Sequence, residues 1–334
     1  MPSSLAGGGS SVIRGENMAT VNTVLGPIDA ADLGFTLSHE HIATGSAGMH
    51  HTYPEFFDLE GTIEDAVIAL TQAYAEGVRS YIDASTFDIG RDIEMMREVS
   101  RRSGVHIIPA TGSHQAIPRV FRSASPDAIA PLYIREVEEG IEGTGVKAGI
   151  IKSASDRGGM TELEEVVLRA VARASKQSGA PVYTHTWSPD RVGEQQIRIL
   201  DEEGVDLDRV YIGHSNDTRD VDYILGLLQK GVWVGLDRFP GGRYPGVPLW
   251  EERTEIVKKL LDAGWGHKIM LGHDHSVPRG QPTREMQEQR QSYQPEGYSF
   301  ISRHVLPLLQ ELGATEAEIH QIMVDNPRRF LAGN

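Results

Sequence analysis

Six side chains able to bind a metal or move a proton stand at comparable places along this sequence. LSHEHI (37–42) carries His39 and His41 on either side of Glu40. Lys152 interrupts the apolar run AGIIKSA, His185 stands in PVYTHT, His214 in VYIGHS and Asp274 in IMLGHDH. On an extended strand, residues two apart share a face, so His39 and His41 can reach one ion while Glu40 points away. The helical H-E-x-x-H zinc signature is absent, because residue 43 is alanine. Each histidine and the aspartate also has an ordinary reading as a hydrogen-bonded core residue. Lys152 is odder, because lysine is rarely buried without a partner. It either pairs with a core acid or has a depressed pKa that leaves a neutral amine. A neutral amine can act as a nucleophile or add CO2, forming a carbamate whose two oxygens can bridge two metals. The chain has no cysteine, which excludes disulfides and thiolate sites. Any metal is therefore held by nitrogen and oxygen, which suits zinc, cobalt, manganese or iron.

The elements that must position these groups follow a repeat. Eight short apolar runs recur at 35–41, 80–86, 105–112, 148–154, 181–186, 210–215, 232–237 and 269–275. Between them lie stretches of helical period, such as Thr62 to Glu76 and Leu163 to Gln177. Near-continuous apolar runs of this length suit strands buried on both faces. Eight of them alternating with helices predict an α/β fold, a (β/α)8 TIM barrel, with an open doubly wound sheet as the alternative. In a barrel the strand ends converge, which would gather all six groups on the catalytic face. Two long loops, RFPGGRYPGVPLW (238–250) and 276–297, follow the seventh and eighth runs and belong to that same face. Residues 18–334 read as a single barrel domain, preceded by a Gly/Ser-rich flexible extension over 1–17. The stretch ATEAEIHQIMVDNPRRFL reads as a closing helix, with Asn326-Pro327 starting a second short one.

Bulk properties remove several function classes. With 32 basic and 47 acidic residues the net charge is −15, and no basic stripe offers itself to nucleic acid. No apolar stretch reaches the roughly 18 residues of a membrane span. The N-terminal segment lacks the apolar core of a secretory signal, so a cytoplasmic location is expected.

Taken together, HxH on the first run, Lys on the fourth, His on the fifth and sixth and Asp on the eighth resemble the amidohydrolase superfamily, and within it the phosphotriesterase family. The resemblance covers roughly residues 20–332, through LGPIDAADLGFTLSHEHI, IEGTGVKAGIIKSAS, PVYTHT, VYIGHSNDT, VWVGLDR, IMLGHDHS and VDNPRRFL. It implies a binuclear centre of two divalent ions, zinc first, with cobalt, manganese or iron as alternatives. His39, His41 and Asp274 match the ligands of the more buried ion, and His185 and His214 those of the more exposed one. Lys152 matches a carboxylated lysine that bridges them beside a shared hydroxide. The implied reaction is attack of that hydroxide on a lactone or carboxylic ester, with side activity on phosphotriesters. Asp274 would take the proton, and Asp217 matches a position in the proton path. A true phosphotriesterase or an N-acyl amide hydrolase is the alternative within the family. A barrel that binds a small molecule without turnover is the alternative outside it.

Two departures bear on the substrate. Arg238 stands where organophosphate-degrading members carry histidine, which resembles the phosphotriesterase-like lactonase branch and gives Arg238 a substrate or loop contact. Ser113, His114 and Gln115 stand where lactonases carry a tyrosine, so His114 either replaces its hydrogen bond or faces solvent. The long loops are expected to line the pocket with Phe239, Tyr244, Trp250, Tyr293, Tyr298, Arg243 and Arg279, with Trp187 beside them. The resemblance also implies a homodimer, for which residues 42–60 offer an aromatic patch.

Overall fold

Eight parallel strands form in the order of the eight apolar runs. In the computed structural model, which describes residues 19–279, 289 and 292–333, they are β3 (Phe35–Glu40), β4 (Val78–Asp83), β5 (His106–Gly112), β6 (Ile150–Ser155), β7 (Val182–Thr186), β8 (Val210–Ile212), β9 (Trp233–Leu236) and β10 (Ile269–Leu271). The 1–17 extension and much of the 276–297 loop lie outside the described residues. Each strand pairs with its sequence neighbour. A bridge between Glu40 and His275, with the Asp274 amide on the His39 carbonyl at 2.9 Å, joins last to first and closes a (β/α)8 barrel.

Alternation along each strand divides the side chains into two cores. Val182, Ile212, Val234 and Leu271 face the surrounding helices. Ile150, Tyr183, Tyr211, Trp233 and Met270 fill the barrel interior. The interior is therefore plugged below the catalytic end. An antiparallel hairpin of β1 (Thr20–Thr23) and β2 (Gly26–Asp29) brings Val21 to the other end of that plug. Inward positions then step up two at a time, from Ile150 to Lys152 and from Tyr183 to His185. The strands rise through an apolar floor into a polar rim.

β3 breaks simple alternation. Its register against β4 shifts between Leu37 and Glu40. Ser38 and the adjacent His39 both face inward, Ser38 to the Tyr211 hydroxyl at 2.9 Å and His39 to Asp237 at 3.1 Å. A bulge that re-aims a side chain at a site is a known use of such irregularity.

The helices form where the periodicity predicts, with caps that account for their starts. The 162–178 helix opens on a Thr161/Glu164 capping box, and 59–75 opens on Asp58, whose carboxylate accepts the Gly61 amide. In the C-terminal segment a short helix, Asn326–Ala332, does start at Asn326-Pro327, and a π turn at Gln321–Asp325 joins it to Glu316–His320. A second π turn, Ile301–Val305, likewise ends two residues before a proline, Pro307. Proline lacks the amide for an α-helical bond and crowds the preceding turn, and a wider turn relieves both conflicts.

Asn326 shows what this terminal helix does for the barrel. Its buried side-chain amide donates to the Gly266 and Ile269 carbonyls, each at 2.7 Å, at the entry to β10. Asn326→Ala leaves two buried carbonyls without donors and is expected to destabilise the fold by about 1–3 kcal/mol. Urea unfolding followed by far-ultraviolet circular dichroism measures this; an unchanged midpoint would remove Asn326 as an anchor.

Candidate metal centre

All six predicted groups meet at the C-terminal end of the barrel. His39 Nε2 lies 3.1 Å from Lys152 Nζ and 3.8 Å from Asp274 Oδ1. His41 Nε2 lies 3.3 Å from the same oxygen. Across the centre, His214 Nε2 and His185 Nδ1 are 3.0 Å apart. His39, His214 and Lys152 are almost wholly withdrawn from solvent.

The outer nitrogens explain what the inner ones can do. His39 Nδ1 meets Asp237 Oδ2 at 3.1 Å, His214 Nδ1 meets Asp237 Oδ1 at 2.9 Å, and His41 Nδ1 meets Ser85 Oγ at 2.8 Å. His185 turns Nε2 toward the Asp156 carboxylate, 3.7 Å away. With protons on the Asp237-facing nitrogens, the inner nitrogens of His39 and His214 present lone pairs. Burial pushes the His39 ring down to about 3, with Lys152 adding to the effect. Burial first, then Arg238, pushes His214 well below its ordinary value, and burial lowers His185. Neutral imidazoles that converge on each other cannot satisfy one another, and a cation can. The donor set of nitrogen and carboxylate oxygen fits divalent metal, and the ligand atoms of His39, His41 and Asp274 lie within 4.8 Å of one another. Lys152 points into the same space, and burial pushes its amine down to about 8.

Asp237 meets the same spacing criterion with His39 and His214. It is better read as the group that orients them. Its two oxygens take both Nδ1 positions, the His214 amide at 2.8 Å and the Tyr211 hydroxyl at 2.7 Å, which leaves nothing directed at an ion. Against the cost of burial, His214 and His39 hold its carboxyl well below the usual range. Asp237 appears in the sequence only as the end of a strand; its signal was an acid at an inward position two residues past Gly235.

Glu40 is the second orienting acid. It points away from the centre, as strand alternation predicts, and closes the barrel there. It accepts the His273 amide at 2.8 Å and His273 Nδ1 at 2.7 Å on one oxygen, and the His275 amide at 3.0 Å on the other. Asp274 thus sits between two amides held by one carboxylate. Its φ is +53°, and that of His214 is +57°. A left-handed backbone at a non-glycine residue costs free energy and persists only when its surroundings over-determine it. Gly112 is fixed by the same crowding. A β-carbon there would lie 2.0 Å from the Lys152 carbonyl, and its φ is +106°.

Around the centre, Arg238 donates through Nε to Asp274 Oδ2 at 2.9 Å and through Nη1 to Asp217 Oδ2 at 2.6 Å. Arg253 donates to the other Asp217 oxygen at 2.8 Å. Burial opposes the charge on Asp274, but Arg238 and then His214 hold its carboxyl well below the usual range. Arg238 thus stands between Asp274 and Asp217, and being donor-only it holds both carboxylates without itself accepting a proton.

A cavity of about 290 Å³ opens beside Asp274, with Arg238, Phe239, Arg243, Tyr244 and Tyr293 in its wall. Three residues expected there lie elsewhere. Trp250 begins a helix and packs on Phe300, Tyr298 is buried with its hydroxyl on the His41 carbonyl, and Arg279 donates to the Gly90 carbonyl behind the site. Loop position did not distinguish rim from support. The His114 ring packs edge-on against His185, with centroids 4.7 Å apart, rather than facing solvent. Its Nδ1 is buried and makes no hydrogen bond among the described residues.

A closed parallel barrel carrying a convergent His/Lys/Asp cluster at its strand ends defines a class of hydrolases. The phosphotriesterase family profile matches residues 19–331, and the chain belongs to that family. The structure of the phosphotriesterase from Mycobacterium tuberculosis superposes with a TM-score of 0.86 at 36% identity, covering 93% of this chain and 98% of that one. An aryldialkylphosphatase from Saccharolobus solfataricus is 34% identical across 91% of this chain and 97% of its own length. The N-acetyltaurine hydrolase of Homo sapiens is 27% identical across 93% and 97%.

The arrangement makes Asp237 a sensitive point. Asp237→Ala frees two histidine rings and is expected to weaken divalent-metal affinity by about 10–100-fold. Competition with a chromogenic chelator reads this directly, and wild-type affinity in that variant would show that the rings need no carboxylate.

Proposed function

We propose that this phosphotriesterase-family hydrolase is a binuclear metal enzyme that opens lactones or carboxylic esters, with phosphotriester hydrolysis as a side activity. The observation that carries the metal assignment is that His39, His41 and His214 have their outer nitrogens engaged while their inner nitrogens, with that of His185, converge beside Lys152 and Asp274. In this reading His39, His41 and Asp274 would hold one ion and His185 and His214 the other, with Lys152, as a carbamate, serving both. Two divalent ions there, zinc first, would lower the pKa of a shared water and polarise the oxygen of the scissile carbonyl or phosphoryl group.

The chain's own residues support the choice of bond. Asp274 Oδ1 faces the centre and takes the proton of the attacking water, while Arg238 fixes the other oxygen. Asp274 then returns the proton to the leaving group or passes it out through the open cavity. An alkoxide needs that proton, whereas the aryloxide lost by an aryl phosphotriester leaves without one. Asp217 acts by holding Arg238 in place.

An amine leaving group also needs a proton, so N-acyl amide hydrolysis is the second reading. The relative named N-acetyltaurine hydrolase favours it.

Elemental analysis followed by assay of the same sample on lactones, aryl esters, N-acyl amides and paraoxon tests the proposal. About two divalent ions per chain with lactone or ester turnover supports it. Two ions with amide or phosphotriester turnover alone moves the chemistry to another member of the family. Asp274→Asn is expected to lower kcat/KM more than about a thousandfold; full activity in that variant with metal bound would remove Asp274 as the proton acceptor. Only the neutral amine of Lys152 captures CO2, and its fraction grows as pH rises through about 8. Metal uptake by stripped protein in bicarbonate should therefore be more complete at high pH, and this rise should vanish in Lys152→Ala.

A further inference from the structure

The cavity beside Asp274 has more positive charge on its rim than its own carboxylates balance. Tyr244 is ringed by three guanidinium groups, with Arg157, Arg238 and Arg243 at 4.8, 5.4 and 5.6 Å from its centroid. Arg157 also lies 4.4 Å from the Trp187 ring, and Trp187 meets Tyr244 edge to face at 5.3 Å. These residues come from three separate segments, following β6, β7 and β9.

Only one of the three cations is fully engaged. Arg238 is buried between Asp217 and Asp274. Arg243 is 54% exposed along its side chain and reaches only Asp274 Oδ2, at 3.4 Å. That oxygen already accepts Arg238 at 2.9 Å. Arg157 is exposed and makes no ion pair among the described residues. The carboxylate beside it, Asp156, is turned to Gln115 at 2.5 Å and faces His185. Clamping the 238–250 loop would explain Arg157 against Tyr244. It does not explain Arg243, which adds repulsion and hangs over the cavity. In a chain of net charge −15 acids are plentiful, yet among the described residues none meets these two side chains squarely.

We propose that Arg157 and Arg243 bind an oxyanionic group, carboxylate or sulfonate, carried by the substrate away from the bond that is cut. The planar guanidinium fork matches such a group in two parallel hydrogen bonds. Tyr244, in the cavity wall with Trp187 packed behind it, covers the carbons between it and the scissile bond. The negative charge of the whole chain repels an anionic substrate at long range, and a positive rim reverses that locally. This inference rests on the hydrolase reading above and names the substrate class for that site.

Two aryl esters with the same leaving group test it: mono-4-nitrophenyl glutarate, which ends in a carboxylate, and 4-nitrophenyl pentanoate, which does not. The ratio of their kcat/KM values is compared in the metal-loaded wild type, Arg157→Gln, Arg243→Gln, the double variant and Arg243→Lys. The wild type is expected to favour the anionic ester by about tenfold or more. The double variant should bring the ratio near unity, mainly through KM, and Arg243→Lys should keep part of the preference. Far-ultraviolet spectra and metal content confirm that each variant is folded and loaded. A wild type that treats both esters alike, or a double variant that keeps the full preference, overturns the proposal while leaving the hydrolase intact. Calorimetric titration with 4-phenylbutyrate and its neutral analogue 4-phenylbutanamide gives a readout free of turnover. Tighter carboxylate binding that is lost in the double variant supports the anion site even where neither ester is cleaved, in which case the ester reading falls alone. Equal 4-phenylbutyrate binding to both proteins places the carboxylate elsewhere and overturns the proposal.

Discussion

The Asp237 carboxylate accepts four hydrogen bonds, and two histidines from distant strands hang from it. A fully buried carboxylate is costly unless every lone pair is used and positive charge lies near. Here the Tyr211 hydroxyl reaches it from the barrel floor, the His214 amide from the turn after β8, and two imidazoles from either side. Satisfying the acid and aiming the rings are therefore one structural event. His214 adopts its left-handed backbone with its amide on Asp237, so the strain at that residue is held by the same anion that orients its ring. The His39 bulge serves the same partner, because simple alternation from Ser38 would have turned that ring outward.

Glu40 plays the corresponding part at the seam of the barrel. Parallel barrels close where the first strand meets the last, and that junction here depends on one acid gripping both flanks of Asp274. The Ile301 amide donates to His273 Nε2 at 3.0 Å, which leaves His273 Nδ1 to donate to Glu40. The helix after the last strand is thus tied to the candidate proton acceptor through one ring and one carboxylate.

The barrel and its polar rim were legible because both leave periodic traces. β-branched runs mark the strands, and a charged residue near the end of such a run has no packing reason to be there. Asp237 was harder to see, since an Asp-Arg pair after a strand also suits an ordinary surface turn. The β3 bulge has no composition of its own, and only the pull of Asp237 and Tyr211 reveals it. Trp250, Tyr298 and Arg279 were expected on the rim because their loops are there. Whether a loop residue faces the cavity or props the loop depends on contacts across the fold, which spacing along one chain does not encode. The two π turns follow a different rule: a proline two residues downstream is visible in the sequence, but a widened turn and a broken helix both answer it.

Arg238 has a consequence for the timing of catalysis. A histidine in its place could shuttle protons to solvent between turnovers, so that the enzyme resets independently of its product. With a permanently charged guanidinium there, Asp274 Oδ2 is held by a group that neither takes nor gives a proton. In the proposed reaction any proton exchange at Asp274 then runs through its Oδ1 face and the open cavity, and a carboxyl held this far below the usual range returns promptly to its anion between turnovers. A charge that never changes thus keeps the acid ionised and fixed in place, and leaves the traffic of protons to solvent and substrate.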